Sequence, residues 1–437
     1  MDPQNYCGGS VIFTYNDSMF YLENEVKRHA EPLLNEMLSE SPIVVLEGAR
    51  QVGKSTLARS VASEREALEL TLDNPEVADF AAHDPLGFLR QAGERLLVVD
   101  EAQREPSLVL AMKQLVDEDR TPGRFLVTGS ADFLKTRGAS DSLAGRAEIL
   151  SLEPLSIGEL HERDTPEDWV NWVVNGAPGD LESFTPERTR EAILAGGYPV
   201  PLQRQTIRAR NRWFESYVRE VSSRDAAELS AGEFVVALGR MLKMLGSSGQ
   251  TEMVYSKFAR QVGVSEGSAR RYLGLAEQMY LISELPAWGL GLNSRAVRKP
   301  KMALLDTGLA AYFSGMTAEK TRMVGGQEYF RALAEQFVVA ELRKQRTWSE
   351  ERFNLFHYRN RNDEIDIVIE LFDGRLVVVE VKAGLSVQPK AWHTISTLIP
   401  DDRVAARVIV YLGEQFQRRS NNTYLMPISS LWTHPAL

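Results

Sequence analysis

Nine consecutive residues, Gly48, Ala49, Arg50, Gln51, Val52, Gly53, Lys54, Ser55 and Thr56, carry the strongest chemical signal in the chain. The first eight match the pattern G-x-x-x-x-G-K-[ST], placed between an aliphatic stretch at 43–47 and a helix expected to begin near Lys54. Glycines let a backbone wrap closely around phosphate oxygens, and loop amides with a helix N-terminus supply positive potential there. Lys54 is then placed to reach β- and γ-phosphates and the Ser55 hydroxyl to ligate Mg²⁺, which makes ATP and Mg²⁺ the expected cofactors. Downstream, the aliphatic residues 96–99 run into Asp100 and Glu101, two carboxylates at the strand end where open α/β sheets bind ligands. Asp100 is expected to hold Mg²⁺ through water, and Glu101 to orient or deprotonate an attacking water. Thr128 and Ser130 follow the next strand and offer either a γ-phosphate-sensing hydroxyl or ordinary turn residues. Arg146 is a candidate arginine finger for a neighbouring subunit, the alternative being a surface arginine.

A second acidic constellation lies near the other end. Residues 363–371 (DEIDIVIEL), a three-residue loop at 372–374 and residues 375–382 (RLVVVEVK) predict a hairpin with Gly374 in the left-handed conformation. In that register Leu371 pairs with Arg375 and Asp366 lies opposite Glu380, with Ile365, Ile367 and Ile369 on one buried side and Asp366, Glu380 and Lys382 on the other. Opposed carboxylates repel unless a cation lies between them, so a divalent metal is expected there. Glu335, on a helix expected at 329–343, is a further candidate ligand. The Asp-x(n)-Glu-x-Lys arrangement resembles the active site of restriction-endonuclease-like nucleases, whose acids hold Mg²⁺ and whose lysine steadies the water or phosphate. His357 reads as a strand residue rather than a ligand, and Arg359 and Arg361 as phosphate contacts or solvated turn residues.

Between these sites, a short helix at 255–262, the turn Gly263-Val264-Ser265 and a second helix at 266–279 follow helix-turn-helix grammar. A strand at 280–285, a turn at 286–291 and a basic segment at 295–301 would complete a wing. Eight basic residues against three acidic ones make this stretch a positive patch, with Arg270, Arg271, Arg298, Lys299 and Lys301 as candidate DNA contacts. A lid that packs on protein is the alternative.

Several elements must position these residues. Five aliphatic strands (43–46, 68–72, 96–99, 125–128, 148–152) alternate with helices, including one at 107–119 and an opening helical pattern at 20–38, and so predict a mostly parallel α/β sheet. A helical connector follows, in which Trp213 and Tyr217 fall one turn apart as core residues. The expected organisation is a flexible arm (1–18), an ATPase core (19–158), a helical connector or lid (159–230), a winged-helix domain (231–315) and a restriction-endonuclease-like domain (316–437). Length supports this: 437 residues suffice for about three domains. A net charge of −10 excludes an overall basic coat, so any nucleic-acid contact must be a local patch. One cysteine, Cys7, excludes an intramolecular disulfide and any multi-thiolate zinc site. The apolar runs fall short of the ~20 residues that span a bilayer, and a cytoplasmic protein with no membrane partner is expected.

Taken as a set, 48–57 (GARQVGKSTL), 98–103 (VVDEAQ), 126–130 (LVTGS), 143–146 (LAGR), 152–159 (LEPLSIGE) and 196–199 (GGYP) resemble bacterial and archaeal AAA-type P-loop ATPases that carry a C-terminal domain of unknown function. The resemblance implies ATP binding, an AAA-like lid and a nuclease-like second half of PD-(D/E)XK type. AAA-type sites are often completed between subunits, so self-association is also expected.

Overall fold

The computed structural model describes residues 22, 26–129, 143–225, 232–289, 299–360, 363–399 and 401–436. The expected flexible arm at 1–18, Ser130, Arg298 and Arg361 lie outside the described residues. Residue contacts divide the chain into two compact units, one built on Arg28–Pro154 and grouped with Gln278–Tyr280, the other containing Leu155–Glu277 and Leu281–Leu437. The divisions expected at 230/231 and 315/316 fall inside the second unit.

The first unit is a five-stranded parallel sheet. Strands β1 (Ile43–Glu47), β2 (Ala67–Thr71), β3 (Leu96–Asp100), β4 (Phe125–Gly129) and β5 (Ala147–Ser151) lie in the order β2-β3-β4-β1-β5. β1 lies between β4 and β5, with Ile43 beside Phe125 of β4 and Ala147 of β5, and all five of its residues are buried. Such unbroken aliphatic strands are what a sheet covered on both faces requires. Helix Ser107–Glu118 buries Leu108, Val109, Met112, Leu115 and Val116, which join Val45, Val99 and Val127 in one cluster. Of the stretch 20–38 read as helical, residues 20, 21 and 23–25 lie outside the described residues, and the described helix is Glu31–Glu40, entered through a proline at its first turn.

The second unit begins with helices. Among them Ile207–Glu220 places Trp213 and Tyr217 in a stacked pair 5.0 Å apart, with the two hydroxyls of Tyr217 and Tyr198 hydrogen bonded at 2.9 Å. Helices Glu233–Ser248, Tyr255–Val262 and Glu266–Gln278 precede a small antiparallel sheet, in which β8 (Lys301–Leu304) lies between β6 (Thr251–Glu252) and β7 (Ile282–Leu285). Helix Val324–Gln345 then leads into a six-stranded mixed sheet of β9 (Phe353–Arg359), β10 (Glu364–Leu371), β11 (Leu376–Lys382), β12 (Val404–Tyr411), β13 (Gln417–Arg419) and β14 (Thr423–Pro427), ordered β13-β14-β12-β11-β10-β9. Helix Pro389–Thr397 packs Ala391 and Ile395 against Val368, Val378 and Ile409 of this sheet.

The predicted hairpin register is the observed one. Ile367 pairs with Val379 and Ile369 with Val377, the Leu371 amide donates to the Arg375 carbonyl at 2.9 Å, and Gly374 has φ +87°. One detail differs. β10 carries a bulge between Ile365 and Val368, where Asp366 and Ile367 together oppose His357 of β9. Ile365 therefore packs with Val368, Leu376 and Val378 instead of sharing a face with Ile367 and Ile369. A bulge inserts one unpaired residue and so switches the face to which the residues on either side of it point.

Candidate functional site

The phosphate-loop geometry follows from its glycines. Gly48 has φ +148°, and a Cβ there would lie 2.3 Å from the Leu152 carbonyl oxygen, so no side chain fits. Gly53, at φ +101°, turns the chain into helix Lys54–Ser63, whose N-terminus no side chain caps. That end is open to an anion, as phosphate binding requires. Lys54 is 5% exposed and its Nζ donates to the carbonyls of Gly48 (3.0 Å) and Ala49 (2.8 Å), which holds the ammonium within the loop. Ala49 and Val52 are fully buried, Arg50 and Thr56 half-buried, and Gln51 is exposed at φ +62°. Arg28, which sequence reasoning missed, braces the loop from outside. Its guanidinium donates to the Val52 carbonyl at 2.9 Å and the Glu153 carbonyl at 2.8 Å. No motif marks an arginine 20 residues upstream of the loop; only the fold brings it there.

Of the two carboxylates, Asp100 touches the loop, through Ser55. Ser55 Oγ donates to Asp100 Oδ1 at 2.8 Å, and Thr128 Oγ1 donates to the same oxygen. A hydroxyl and a carboxylate side by side form a hard oxygen donor set, which suits Mg²⁺ shared with phosphates. Glu101 has φ +59°, a left-handed conformation that a non-glycine residue adopts only under local constraint. Its amide donates to Thr128 Oγ1 at 3.2 Å and its carboxylate accepts from Gln103 Nε2 at 2.6 Å, so both ends of the residue are held. Arg146, expected to reach a neighbouring subunit, is instead gripped in bidentate fashion by Asp117 of its own domain at 2.7 and 3.1 Å.

In the second unit the acids gather with two lysines. The paired register ends at Ile367 and Val379, and beyond it the Asp366 carboxylate accepts from the Val381 amide at 2.8 Å, next to Glu380. Glu380 is 7% exposed; one oxygen pairs with Lys382, and Oε2 is buried with no hydrogen-bond partner among the described residues. Burial, then the charge of Asp366, pushes Glu380 up to about 7, and the same two causes push Glu335 up to about 8. Burial likewise raises Asp366. An orphaned carboxylate oxygen facing a second carboxylate fits a hard divalent cation.

Two expectations need correction here. Lys301 is no DNA contact: it is 3% exposed, with Nζ 2.5 Å from Glu335 and 2.7 Å from Glu364. Glu335 is accordingly occupied by Lys301, and among the described residues no group of three or more His, Cys, Asp or Glu side chains is arranged to hold a metal ion. His357 is buried in β9, its Nε2 3.1 Å from the Lys299 carbonyl, and burial lowers its pKa to about 4.

The remaining candidates sit on the surface. Arg270 lies 3.7 Å from the Tyr255 ring centroid and pairs with Glu266 at 2.8 Å, while Arg271 donates to the Tyr272 hydroxyl at 3.4 Å and Lys299 is exposed. Beside Glu380 and Lys382 opens a cavity of 740 Å³ lined also by Arg190, Arg322, Arg331, Lys390, Asp363 and Glu364. Its arginines come from distant helices and carried no signal in the sequence.

Comparison with known proteins gives three family matches: an AAA domain over residues 40–161, a domain of unknown function (DUF8612) over 186–320 and another (DUF4143) over 330–431. Two uncharacterized proteins, Mb2031c of Mycobacterium bovis and Rv2008c of Mycobacterium tuberculosis, are each 27% identical over 412 residues, covering 93% of this chain and 85% of theirs. Among solved structures, the Walker-type ATPase PABY2304 of Pyrococcus abyssi is similar over 68% of this chain and 97% of its own, at 17% identity and TM-score 0.41. AMPPCP-bound DnaA from Aquifex aeolicus covers 61% of this chain and 93% of its own, at 11% identity and TM-score 0.29. Among the described residues no helix is long and apolar enough to cross a membrane. Residues 40–161, which hold the phosphate loop and the five-stranded parallel sheet, are the part of the chain that matches the AAA domain model.

Proposed function

We propose that the protein is a Mg²⁺-dependent ATP hydrolase whose nucleotide state governs a DNA-handling second half. The observation that carries the hydrolase reading is the convergence of Lys54, Ser55, Asp100 and Glu101 at one edge of the parallel sheet, with Ser55 and Asp100 2.8 Å apart. On ATP binding, Lys54 leaves the loop carbonyls for the phosphate oxygens. Ser55 and Asp100 would hold Mg²⁺, which when bound would supply positive charge against that developing on the phosphates. Glu101 takes the proton of the attacking water as its oxygen bonds to the γ-phosphorus and the bond to ADP breaks. Thr128 fixes Asp100 and the Glu101 amide, so the two acids keep their spacing through the cycle. We propose that copies of the chain associate, which predicts specific activity rising with protein concentration.

For the second half, helices Tyr255–Val262 and Glu266–Gln278 with the sheet β6-β8-β7 support a winged-helix reading with Arg270, Arg271 and Lys299 toward DNA. The hairpin of β10 and β11, helix Val324–Gln345 and the placement of Asp366, Glu380 and Lys382 support a PD-(D/E)XK-like nuclease site in which the two acids hold the metal. A second reading, a nucleotide-gated binding regulator with an inactive nuclease-like module, is favoured by the engagement of Glu335 and Glu364 with Lys301. The test is ATP turnover and cleavage of supercoiled plasmid with Mg²⁺ or Mn²⁺, with and without ATP. Lys54→Ala should lose turnover and Glu101→Gln should bind ATP without hydrolysing it; unchanged hydrolysis in both would overturn the ATPase assignment. Cleavage lost in Asp366→Ala identifies the nuclease, and no cleavage with intact turnover selects the regulator.

A further inference from the structure

The cavity beside Glu380 and Lys382 contains a cation that the acid–lysine cluster leaves unused. Arg190, on helix Pro186–Ala195, lines this cavity with Arg322 and Arg331. Among the described residues its buried Nε and Nη1 meet no acceptor, and its guanidinium lies 5.5 Å from the Phe330 ring centroid. Burial, then the neighbouring charge of Arg322, lowers the Arg190 pKa from its usual value. Arg322 is itself held 3.3 Å from Glu187. Burying guanidinium donors without partners is unfavourable until an acceptor completes them. The lining as a whole carries five basic against three acidic side chains, so the missing acceptor is an anion.

Size and geometry narrow the anion. A volume of 740 Å³ is that of a small-molecule pocket and takes one or two nucleotides, whereas a continuous duplex needs an open groove. Guanidinium forks match phosphate oxygens with two parallel hydrogen bonds, and a tracked backbone is how single strands are held. We infer that Arg190, with Arg322 and Arg331, forms a phosphate subsite that holds one backbone phosphate of a single-stranded DNA segment lying beside the Glu380–Lys382 pair. The inference rests on the nucleic-acid reading of the second unit and names its substrate class.

The test is metal-free binding of a fluorescein-labelled oligo-thymidylate of about fifteen nucleotides to the full chain, by anisotropy in EDTA across a salt series. A blunt duplex of equal length is the comparison. Wild type should bind the single strand at least roughly tenfold more tightly than the duplex, and Arg190→Gln should weaken single-strand binding about tenfold. The log–log salt slope should fall by about 0.7, the share of one phosphate on a single strand. Wild-type affinity and slope in folded Arg190→Gln, or equal binding of duplex, would overturn the subsite. Should Arg190→Gln fail to fold by tryptophan fluorescence, Arg331→Gln, at an exposed helix position, decides in its place. Plasmid cleavage by wild type and Asp366→Ala is measured alongside. Arg190-dependent binding without any cleavage removes the nuclease reading and keeps the subsite, whereas cleavage with unaffected binding removes the subsite alone.

Discussion

Replacing Lys301 with methionine tests what holds the acidic cluster together. The ammonium is 3% exposed and sits 2.5 Å from Glu335 and 2.7 Å from Glu364, with Asp366 also in its field. Lys301→Met keeps the aliphatic stem and removes only the charge, which leaves buried carboxylates without their cation. Breaking a buried pair from one side costs about 3–5 kcal/mol. Glu335 is already pushed up to about 8 and takes a proton readily, so the lower end, about 3 kcal/mol, is expected. For a unit of this size that is a fall in Tm of roughly 5 °C. All seven tryptophans of the chain lie at or beyond Trp169, so urea unfolding followed by tryptophan fluorescence reads the second unit alone. The double variant Lys301→Met/Glu335→Leu exchanges the pair for apolar groups and should recover about 1–2 kcal/mol of the loss. A single variant within about 0.5 kcal/mol of wild type would refute the reasoning, since surface substitutions behave that way. Loss of DNA affinity at unchanged stability would return Lys301 to the role of a phosphate contact.

Other perturbations test the same geometry. Gly48→Ala forces a Cβ to within 2.3 Å of the Leu152 oxygen at φ +148°, so the first unit should lose about 2–4 kcal/mol and ATP binding should fail with it, as calorimetry would show. Arg28→Ala removes the hydrogen bonds that tie the Val52 carbonyl of the loop to the Glu153 carbonyl through one guanidinium, and ATP affinity should fall roughly tenfold in titrations with a fluorescent nucleotide analogue. His161 and His434 are both lowered to about 4, chiefly by burial, against an ordinary value of 6.5. Between those values the unfolded chain binds more protons than the folded one, so the stability is present above about pH 6.5 and is lost as pH falls toward 4, by roughly 3 kcal/mol for each histidine. His434, stacked on Trp172 with ring centroids 5.2 Å apart, gives the check: His434→Phe should flatten the acid limb of a tryptophan-monitored pH titration.

The amino-acid sequence by itself determined the local chemistry. The phosphate loop, the Asp100–Glu101 pair, all five strands of the parallel sheet and the hairpin register were legible because each depends on neighbours in sequence: glycine conformations, alternation of aliphatic residues and a loop whose length sets the pairing. The tertiary structure alone decided every assignment that depends on distant segments. Lys301 carries the same charge as Lys299, two residues away, yet one is buried among carboxylates and the other is exposed, because β8 pairs between β6 and β7 and turns Lys301 inward. Glu335 and Asp366 stand 31 positions apart, and only helix Val324–Gln345 against the sheet brings their charges together. The bulge at Asp366 and Ile367 leaves no mark in a run of alternating residues, since it arises from pairing with β9. Arg28 beneath the loop and Arg190 in the cavity are likewise invisible in sequence. An arginine acquires its partner, or is left without one, only when the chain has packed around it.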